Sequence, residues 1–264
     1  MDTDHDSAFV PSTAIVTGAS LGLGRALAAA LVADGWAVVL DARDADALAA
    51  VAAELGPRAH AVPGDVTDPA HRAELVATAS GLGPLGLLVN NASTLGASPQ
   101  PRVAELDAAT FARVLDVNLV APAALVRLAL PALRAHDGAV VSVTSDAAVE
   151  GYDGWGAYGA SKAGLEQLSN VLAAEEPGVR VWWVDPGDMR TKMHQDAFPG
   201  EDVGRPGSAP QQERPADVAG QEPSHRQGRR QDRRHLADKD HHRKVTEARH
   251  PGRRRGDHRP DKRL

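Results

Sequence analysis

The stretch Thr13–Ala42 reads TAIVTGASLGLGRALAAALVADGWAVVLDA. Its first residues, Thr13–Gly18, form a short apolar run typical of a buried strand, and Ala37–Ala42 forms a second one. Between them, from about Gly22 to Asp34, an alanine- and leucine-rich segment has the composition of a helix. A strand, a helix and a second strand in so short a stretch predict a βαβ unit, whose two strands run parallel.

The same alternation continues along the chain. Further strands are predicted at residues 58–62, 85–92, 138–145 and 179–185. Helices are predicted at residues 45–55, 68–80, 107–135 and 161–176, and Pro122 and Pro131 are expected to shape or interrupt the long one. Strands that are apolar on both faces and alternate with helices indicate an α/β fold, a parallel sheet with helices on both faces.

The composition of the 264-residue chain excludes several kinds of chemistry. It has no cysteine, which rules out disulfides, thiolate metal sites and thiol nucleophiles, and no metal site is expected. No run of about eighteen apolar residues is present, and the acidic start MDTDHDSAFV lacks the features of a signal peptide. We therefore expect a cytoplasmic protein that does not span a membrane.

The net charge of −6 hides a division of the chain near Gly220. Residues 1–220 carry 14 Lys and Arg against 28 Asp and Glu, whereas residues 221–264 carry 15 against 7. The second segment also has too few aliphatic residues to build a packed element. The predicted organisation is a disordered N-terminus at residues 1–11, a single domain at 12–220 and a basic, disordered tail at 221–264.

The glycine-rich segment TGASLGLG, Thr17–Gly24, lies where the first predicted strand passes into the first helix. Glycines there allow a tight turn and let backbone N–H groups approach a pyrophosphate, which the N-terminus of a helix also favours. An ordinary strand–helix loop is the alternative. The strand before the segment and the helix after it favour a nucleotide-binding loop.

The end of the second strand, VVLDARD, bears on which dinucleotide would fit. An acidic residue there suits the ribose of NAD, and a basic residue suits the 2′-phosphate of NADP. Counting from Gly18 places Ala42 at the ribose and Arg43 just beyond it, which favours NADP(H). If the register of the strand slips by one residue, Asp41 takes that place and NAD(H) is favoured instead.

Tyr158 and Lys162 form the pattern Y-x-x-x-K, which puts both side chains on one face of a helix. A free phenol has a pKa of about 10, and a neighbouring cation lowers it towards the range useful for proton transfer. Ser145 ends the strand that precedes them, with Thr144 beside it as the alternative hydroxyl. The pattern predicts acid–base chemistry at the phenol of Tyr158.

Five motifs in this order resemble those of the short-chain dehydrogenase/reductases, a family of nicotinamide-dependent oxidoreductases with a doubly wound, Rossmann-type sheet. They are TGASLGLG at Thr17–Gly24, GDV at Gly64–Val66, NNAS at Asn90–Ser93, YGASK at Tyr158–Lys162 and DPGDMRT at Asp185–Thr191. The resemblance covers about residues 12–192. It departs from the family pattern at Ser93, where the family has glycine.

The resemblance implies catalytic roles for four residues. Tyr158 would be the general acid/base, and Lys162 would bind the nicotinamide ribose and lower the pKa of the tyrosine. Ser145 would hydrogen-bond the substrate oxygen, and Asn118 would hold a water in a proton relay. From the residues alone, Ser145 could instead cap a turn and Asn118 could be a buried structural amide.

The resemblance also implies a binding site for NADP(H), with NAD(H) as the alternative. The residues expected to contact the cofactor are Gly18, Ser20, Leu21, Gly22, Gly24, Arg43, Asp65, Val66, Asn91, Ala92, Tyr158, Lys162, Pro186, Gly187 and Thr191. Thr191 would meet the carboxamide of the nicotinamide. For Asp65, contact with adenine and a purely structural role in its loop are both open.

Substrate contacts are expected from loops, which differ most between proteins of one fold. The predicted pocket residues are Asp146, Tyr152, Trp155 and Asp188. Their carboxylates are expected to disfavour an anionic substrate. The segment after Thr191 is interpreted as a lid that closes on substrate, with His194 as a surface residue of that lid.

The basic tail at residues 221–264 allows three interpretations. Its Lys and Arg residues could contact nucleic-acid phosphates, but no aromatic residue is present for base stacking. His235, His241 and His242 could bind a metal, but their spacing matches no defined site. Out-of-frame translation of a GC-rich gene is the favoured interpretation, and it implies that the last strand of the sheet is missing or altered, leaving an unpaired edge.

The predicted function is hydride transfer between NADP(H), or NAD(H), and a small-molecule carbonyl/alcohol pair. One alternative is a catalytically impaired nucleotide-binding or scaffold protein of the same fold. Another is association with nucleic acid through the tail, which the absence of aromatic residues there disfavours. A homodimer or homotetramer is expected if the C-terminal region permits it.

Overall fold

The computed structural model describes residues 12–187, 189 and 191–197, and the backbone of residues 245–247. The strands are β1 Thr13–Val16, β2 Ala37–Ala42, β3 Ala59–Pro63, β4 Leu85–Asn90, β5 Ala139–Val143, β6 Arg180–Val184 and β7 Val245–Glu247. They form one sheet in the order β3-β2-β1-β4-β5-β6-β7. Strands β1 to β6 pair in parallel, which confirms the predicted parallel sheet.

Helices cover both faces of this sheet, as predicted. They are α1 Gly22–Ala33, α2 Ala45–Leu55, α3 Pro69–Leu82, α4 Ala108–Leu115, α5 Ala121–Ala135, α6 Gly156–Glu175 and α7 Lys192–Ala197. Successive residues of β1 belong to different core clusters: Ile15 packs with Leu75 of α3 and Leu125 of α5, and Val16 packs with Ala28 of α1 and Leu48 of α2. Side chains of a strand alternate between faces, so both faces of the sheet are buried.

The strand order reverses between β1 and β4, which leaves a crevice at the carboxyl ends of these strands. The hydroxyl of Thr17, the residue after β1, forms hydrogen bonds across this crevice. Its Oγ1 donates to the carbonyl of Val89 at 3.2 Å and accepts from the N–H groups of Asn91 and Ala92 at 3.0 Å. The loops that follow β1 and β4 are therefore held together.

The long helix predicted at residues 107–135 is divided, but not at its prolines. A five-residue π-helix, Asp116–Val120, separates α4 from α5. Pro122 lies in the first turn of α5, where its missing N–H is not needed, and Pro131 lies inside α5 without ending it. The interruption therefore falls on the segment that carries Asn118.

The helical region Ala108–Ala135 is apolar and long enough to cross a membrane by length and composition. In this fold Leu125, Ala129 and Leu133 are fully buried in the core cluster that includes Val140 of β5. Burial against the sheet explains the apolar composition, so the region is accounted for as a core helix.

Helix α6 begins five residues earlier than the helix predicted from residue 161, so Tyr158 lies in its first turn. Glycines concealed this start, because glycine has low helix propensity. Gly159 is required by packing: a Cβ at this position would lie 2.6 Å from the carbonyl oxygen of Ala147. Ala147 belongs to a short 3₁₀ turn, Asp146–Ala148, that α6 packs against.

The expectation that the far edge of β6 is unpaired is wrong over three residues. Val245–Glu247 of the basic tail forms β7, which pairs antiparallel with Trp182–Val184. Ladder hydrogen bonds join backbone groups, so an edge strand can accept a segment with no apolar pattern. The expected disorder at residues 1–11, and the remainder of the tail at residues 221–264, lie outside the described residues.

A buried pair joins α3 to the end of β2. His71 Nε2 lies 2.6 Å from Asp41 Oδ1, and both side chains are at most 5% exposed. The other oxygen, Asp41 Oδ2, accepts from the N–H of Gly18 at 3.4 Å. The hydrogen bond to Asp41 raises the pKa of His71, although burial alone would lower it. This pair ties α3, β2 and the glycine-rich loop together.

Because the pKa of His71 is raised in the folded state, its contribution to stability is fully present below the ordinary histidine pKa of about 6.5. That contribution is lost as the pH rises through the folded-state value. Urea unfolding should therefore show a free energy that falls as the pH rises from about 6.5 through the raised pKa of His71. His71→Gln should lower it by about 3 kcal/mol at pH 6 and flatten this dependence.

His60→Gln is the matched control, because His60 lies on β3 outside this pair. It should leave the pH dependence of stability as in the unmodified protein. An equally steep dependence in His71→Gln would contradict the assignment to His71.

Candidate active site

The glycine-rich loop approaches its neighbours too closely for larger residues. A Cβ on Gly24 would lie 2.3 Å from the carbonyl oxygen of Gly18 and 2.5 Å from Asn91 Nδ2. Helix α1 begins here without a side-chain cap, so the N–H groups of its first turn are not satisfied by a capping side chain. Backbone N–H groups around a concave loop suit a phosphate. The loop therefore fits the pyrophosphate of a dinucleotide.

Thr191 lies against this loop from the far side of the crevice. A Cβ on Gly22 would lie 3.3 Å from Thr191 Cγ2. The hydroxyl of Thr191 also accepts from the N–H of His194 at 3.3 Å, in the first turn of α7. His194, predicted as a surface residue, is half-buried. The start of α7 therefore lies beside the predicted cofactor loop. Of the loop residues predicted to contact the cofactor, Ser20 is half-buried and Leu21 is exposed.

Asn91 and Ala92, predicted to contact the cofactor, hold the loop in place. Asn91 Nδ2 donates to the carbonyl of Thr17 at 2.8 Å and to that of Gly18 at 3.2 Å. The N–H of Ala92 donates to the Thr17 hydroxyl. Both residues therefore lie beside the crevice. The side-chain amide of Asn91 and the backbone N–H of Ala92 hold the start of the glycine-rich loop in position.

The predicted adenine contact, Asp65, is engaged within its own loop. Its carboxylate accepts from the N–H of Thr67 at 2.9 Å, from the Thr67 hydroxyl at 2.7 Å and from Arg113 at 2.9 Å. Burial opposes ionisation, but these donors hold the pKa of Asp65 well below its usual range. Val66 is buried against Val117 and Ala121. The structural interpretation of Asp65 is supported, and contact with adenine stays a prediction.

The two alternatives at the end of β2 are placed differently. The carboxylate of Asp41 is buried and bound to His71 and Gly18, so it is not free to meet a ribose. Ala42 is buried beside it, and Arg43 is exposed to solvent. The register that puts Ala42 and Arg43 towards the nucleotide stays a prediction.

Tyr158 and Lys162 lie one turn apart on α6, as predicted, and both are buried. Lys162 Nζ lies 5.4 Å from the centre of the Tyr158 ring and donates to the carbonyl of Val143 at 2.8 Å. Among the described residues no carboxylate pairs with this ammonium. Burial lowers the pKa of Lys162 to about 8.

The phenol of Tyr158 does not show the lowered pKa that its neighbour implies. Burial, together with the charges of Asp146 and Asp185, raises the pKa of Tyr158 to about 12, although the hydroxyls of Ser93 and Ser145 oppose the rise. Burial is the largest cause of this rise, and the ammonium of Lys162 donates to the Val143 carbonyl. The phenol is therefore protonated at neutral pH.

Ser145, and not Thr144, is the hydroxyl that faces the phenol. Thr144 is buried and donates to Glu166 Oε1 at 2.7 Å. Ser145 Oγ accepts from the N–H of Ala147 at 3.2 Å, so it also caps the 3₁₀ turn. The two interpretations of Ser145 are thus compatible.

The side chain of Asn118 is bound on both sides. Its Nδ2 donates to the carbonyl of Thr94 at 2.9 Å and to Ser161 Oγ at 3.0 Å, and its Oδ1 accepts from the N–H of Thr94 at 2.8 Å. Ser161 in turn donates to the carbonyl of Tyr158 at 2.6 Å. Both amide hydrogens are used. Asn118 therefore braces the chain beside the phenol, and its role in holding a water stays a prediction.

Ser93 is a site residue that the sequence analysis did not assign. Its hydroxyl is buried and completes no hydrogen bond in the described part of the chain, yet it approaches the Tyr158 phenol closely enough to oppose the rise in its pKa. The backbone is fixed on both sides, at Ala92 by Thr17 and at Thr94 by Asn118. The available signal was the serine in NNAS where the family pattern has glycine.

Three of the four predicted pocket residues, Asp146, Tyr152 and Trp155, lie beside the phenol. The ring of Trp155 lies edge-on to Tyr158 at 5.5 Å and to Tyr152 at 6.0 Å. The Tyr152 hydroxyl donates to Asp146 Oδ2 at 2.8 Å. After β6, Pro186 is half-buried, and the N–H of Gly187 donates to Asp185 Oδ1 at 2.9 Å. Asp188 lies outside the described residues.

Comparison with known proteins agrees with this geometry. The model of the family described as short chain dehydrogenase matches residues 12–202. This chain belongs to that family. This short-chain dehydrogenase is 38% identical over 185 residues to serine 3-dehydrogenase of Agrobacterium fabrum. The aligned segment covers 69% of this chain and 73% of that protein.

Two solved structures similar to this short-chain dehydrogenase contain a nicotinamide cofactor. One, from Shigella flexneri in complex with NADP, is 31% identical with a TM-score of 0.68, and covers 73% of this chain and 84% of that one. The other is 3-ketoacyl-(acyl-carrier-protein) reductase of Brucella melitensis in complex with NADH. It is 27% identical with a TM-score of 0.66, and the match covers 70% of this chain and 78% of that one.

Gly24→Ala should abolish cofactor binding by this short-chain dehydrogenase. The added methyl group would force the carbonyl of Gly18 out of position and open the loop. We expect the affinity for a nicotinamide dinucleotide, measured by calorimetry, to fall by about a hundredfold or more. Gly81→Ala, in α3 with open space around it, is the control and should leave binding intact. Equal affinities in the two variants would contradict the assignment of the loop.

Proposed function

We propose that this protein transfers a hydride between NADP(H) and a small-molecule carbonyl/alcohol pair, using Ser145, Tyr158, Lys162 and Asn118. The observation that carries the proposal is the buried phenol of Tyr158, with the Ser145 hydroxyl and the Lys162 ammonium beside it. Ser145 follows β5, and Lys162 donates to the carbonyl of Val143 at the end of that strand, which is the same edge of the sheet as the glycine-rich loop after β1.

The residues present fit a nicotinamide dinucleotide. The cradle that a Cβ on Gly24 would fill accepts the pyrophosphate, and Lys162, buried with no carboxylate partner among the described residues, can turn to ribose hydroxyls. When bound, the cofactor supplies or accepts the hydride. The protein holds the reacting atoms together and excludes water.

Tyr158 moves the proton in this proposal. A phenol with a pKa near 12 is protonated at neutral pH, so it can donate its hydrogen to a carbonyl oxygen as the alcohol forms. Ser145 holds the same oxygen by a hydrogen bond. Asn118, through Thr94 and Ser161, keeps α6 and the loop after β4 from shifting. Because these segments are held in place, the phenol and the substrate oxygen can stay within hydrogen-bond distance for the proton transfer.

Tyr158→Phe should lower kcat by about a thousandfold, because the variant has no hydroxyl to exchange a proton with the substrate oxygen. Its dissociation constant for NADPH should stay close to that of the unmodified protein. The measurement is the loss of NADPH absorbance over a panel of ketones and aldehydes. Tyr152→Phe should retain turnover, with a change in substrate preference and a fall in kcat that is far smaller than that of Tyr158→Phe.

Turnover by Tyr158→Phe at the unmodified rate would contradict the role of the phenol. Failure of the unmodified protein to bind either NADPH or NADH would contradict the whole proposed function. Binding of cofactor without turnover of any carbonyl would favour the alternative, a catalytically impaired nucleotide-binding protein.

We further propose that NADP(H) is preferred over NAD(H). Arg43 is exposed next to the residue expected at the adenosine ribose, so its guanidinium can pair with a 2′-phosphate. Asp41, whose carboxylate would repel that phosphate, is withdrawn into the pair with His71. Solved relatives carry NADP in one case and NADH in another, so the family alone does not decide the preference.

Arg43→Ala should raise the dissociation constant for NADPH by about tenfold or more and change that for NADH little, since only NADPH carries the 2′-phosphate. Arg102→Ala is the control, because this exposed arginine pairs with Asp153. Tighter binding of NADH than NADPH by the unmodified protein would contradict the preference while leaving the proposed reaction intact.

We also propose a small-molecule substrate, a cytoplasmic location, a homodimer or homotetramer, and no nucleic-acid partner. The substrate class is supported by the buried phenol and the half-buried rings of Tyr152 and Trp155 around it. The other three proposals follow from composition and family resemblance.

A further inference from the structure

The hydroxyl of Ser145 has a fixed direction in this structure. Ser145 Oγ lies 3.0 Å from Asp146 Oδ1, and a carboxylate can only accept, so the single hydroxyl hydrogen is directed to Asp146. One lone pair of Oγ accepts from the N–H of Ala147 at 3.2 Å. Only the second lone pair is left, and it can accept from the O–H of Tyr158 or from a substrate hydroxyl.

The carboxylate that receives this hydrogen is itself held. The Tyr152 hydroxyl donates to the second oxygen, Asp146 Oδ2, at 2.8 Å. Tyr152 is packed edge-on against Trp155, and Trp155 against Tyr158. Each oxygen of Asp146 therefore has a donor, and the two donors come from opposite ends of the loop between β5 and α6.

We propose that Asp146, held by Tyr152, is a positioning residue that sets the direction of the Ser145 hydroxyl. The inference rests on the proposed function, because it concerns how Ser145 meets the substrate oxygen. With its hydrogen on Asp146, Ser145 accepts a hydrogen bond from the hydroxyl of an alcohol substrate. It must leave Asp146 to donate to a carbonyl. Asp146 thus acts on the reaction through Ser145.

Asp146 is one of several charged and polar groups around the phenol. These groups are Asp146 in the 3₁₀ turn, Asp185 after β6, Lys162 on α6, and the hydroxyls of Ser93 and Ser145. Helix α7 packs here through Met193, and its Lys192 and Asp196 pair with each other. The carboxylates of Asp146 and Asp185 raise the pKa of Tyr158, so removing either charge lowers it.

The test is Asp146→Asn, which keeps the shape of the side chain and removes its charge. Its kcat for alcohol oxidation should fall by about tenfold, because an amide oxygen is a weaker acceptor than a carboxylate and holds the Ser145 hydroxyl less firmly in one direction. In a Ser145→Ala background the same change should have no further effect on kcat, since no hydroxyl remains to be positioned. An equal loss in both backgrounds would overturn the proposal.

The pH profile provides a second readout that a purely structural role would not move. For alcohol oxidation, the rise of kcat/KM with pH should shift to lower pH by about half a unit in Asp146→Asn, because a negative charge near the phenol is removed. Asp185→Asn should shift the profile in the same direction, but its effect on kcat should add to that of Ser145→Ala. Asp153→Asn, which removes an exposed carboxylate paired with Arg102, should do neither.

Failure of this inference can be told apart from failure of the proposed function. If no alcohol or carbonyl is turned over, the proposed function fails, and the phenol is titrated directly by its absorbance. Tyr152→Phe leaves Tyr158 as the single tyrosine of the chain. Adding Asp146→Asn to that variant should lower the pH at which the phenol ionises. An unchanged pH would contradict the placement of the Asp146 carboxylate beside the phenol, and with it the proposal that rests on that placement.

Discussion

The hydrogen bonds of Thr17 are the constraint on which the site depends. One hydroxyl joins the end of β1 to β4 and to the loop that follows it, through Val89, Asn91 and Ala92. These contacts are buried or half-buried, where an unmade hydrogen bond costs about 1–3 kcal/mol. The glycine-rich loop and the segment with Ser93 are therefore placed relative to each other before any ligand is considered.

A series of hydrogen bonds connects that junction to the phenol of Tyr158. Thr94, two residues beyond Ala92, is bound on both its N–H and its carbonyl by Asn118. Asn118 contacts Ser161, and Ser161 contacts the backbone of Tyr158. A side chain from the π-helix thus links the cofactor wall to the first turn of α6. Preorganisation of this kind limits how far the reacting groups can drift apart.

Much of the fold could be predicted because its signals are local. The strand Ala37–Ala42 and the helix Ala45–Leu55 have the predicted bounds, since apolar runs and alanine-rich segments carry their own preference. The spacing of Tyr158 and Lys162 on one helix face is equally local. The parallel sheet followed from strands that are apolar on both faces.

The features that escaped prediction depend on contacts between distant segments. The start of α6 was concealed because Gly156 and Gly159 serve close packing, against Val103 and Ala147, and not helix propensity. The pairing of His71 with Asp41 joins residues thirty positions apart. The direction of the Lys162 ammonium depends on the Val143 carbonyl at the end of β5. No periodicity or motif encodes such contacts.

The edge strand β7 has a consequence for how the sheet is assembled. Its three residues pair with β6 only after the chain between Val184 and Val245 has closed a loop of about sixty residues. The entropy of such a closure is on the order of 3–4 kcal/mol, and three ladder positions offer little to offset it. Pairing at this edge therefore adds little to the free energy of unfolding. Strands β1 to β6 hold the cofactor crevice largely independently of it. Catalysis and the integrity of the sheet edge are thus separable properties of this molecule.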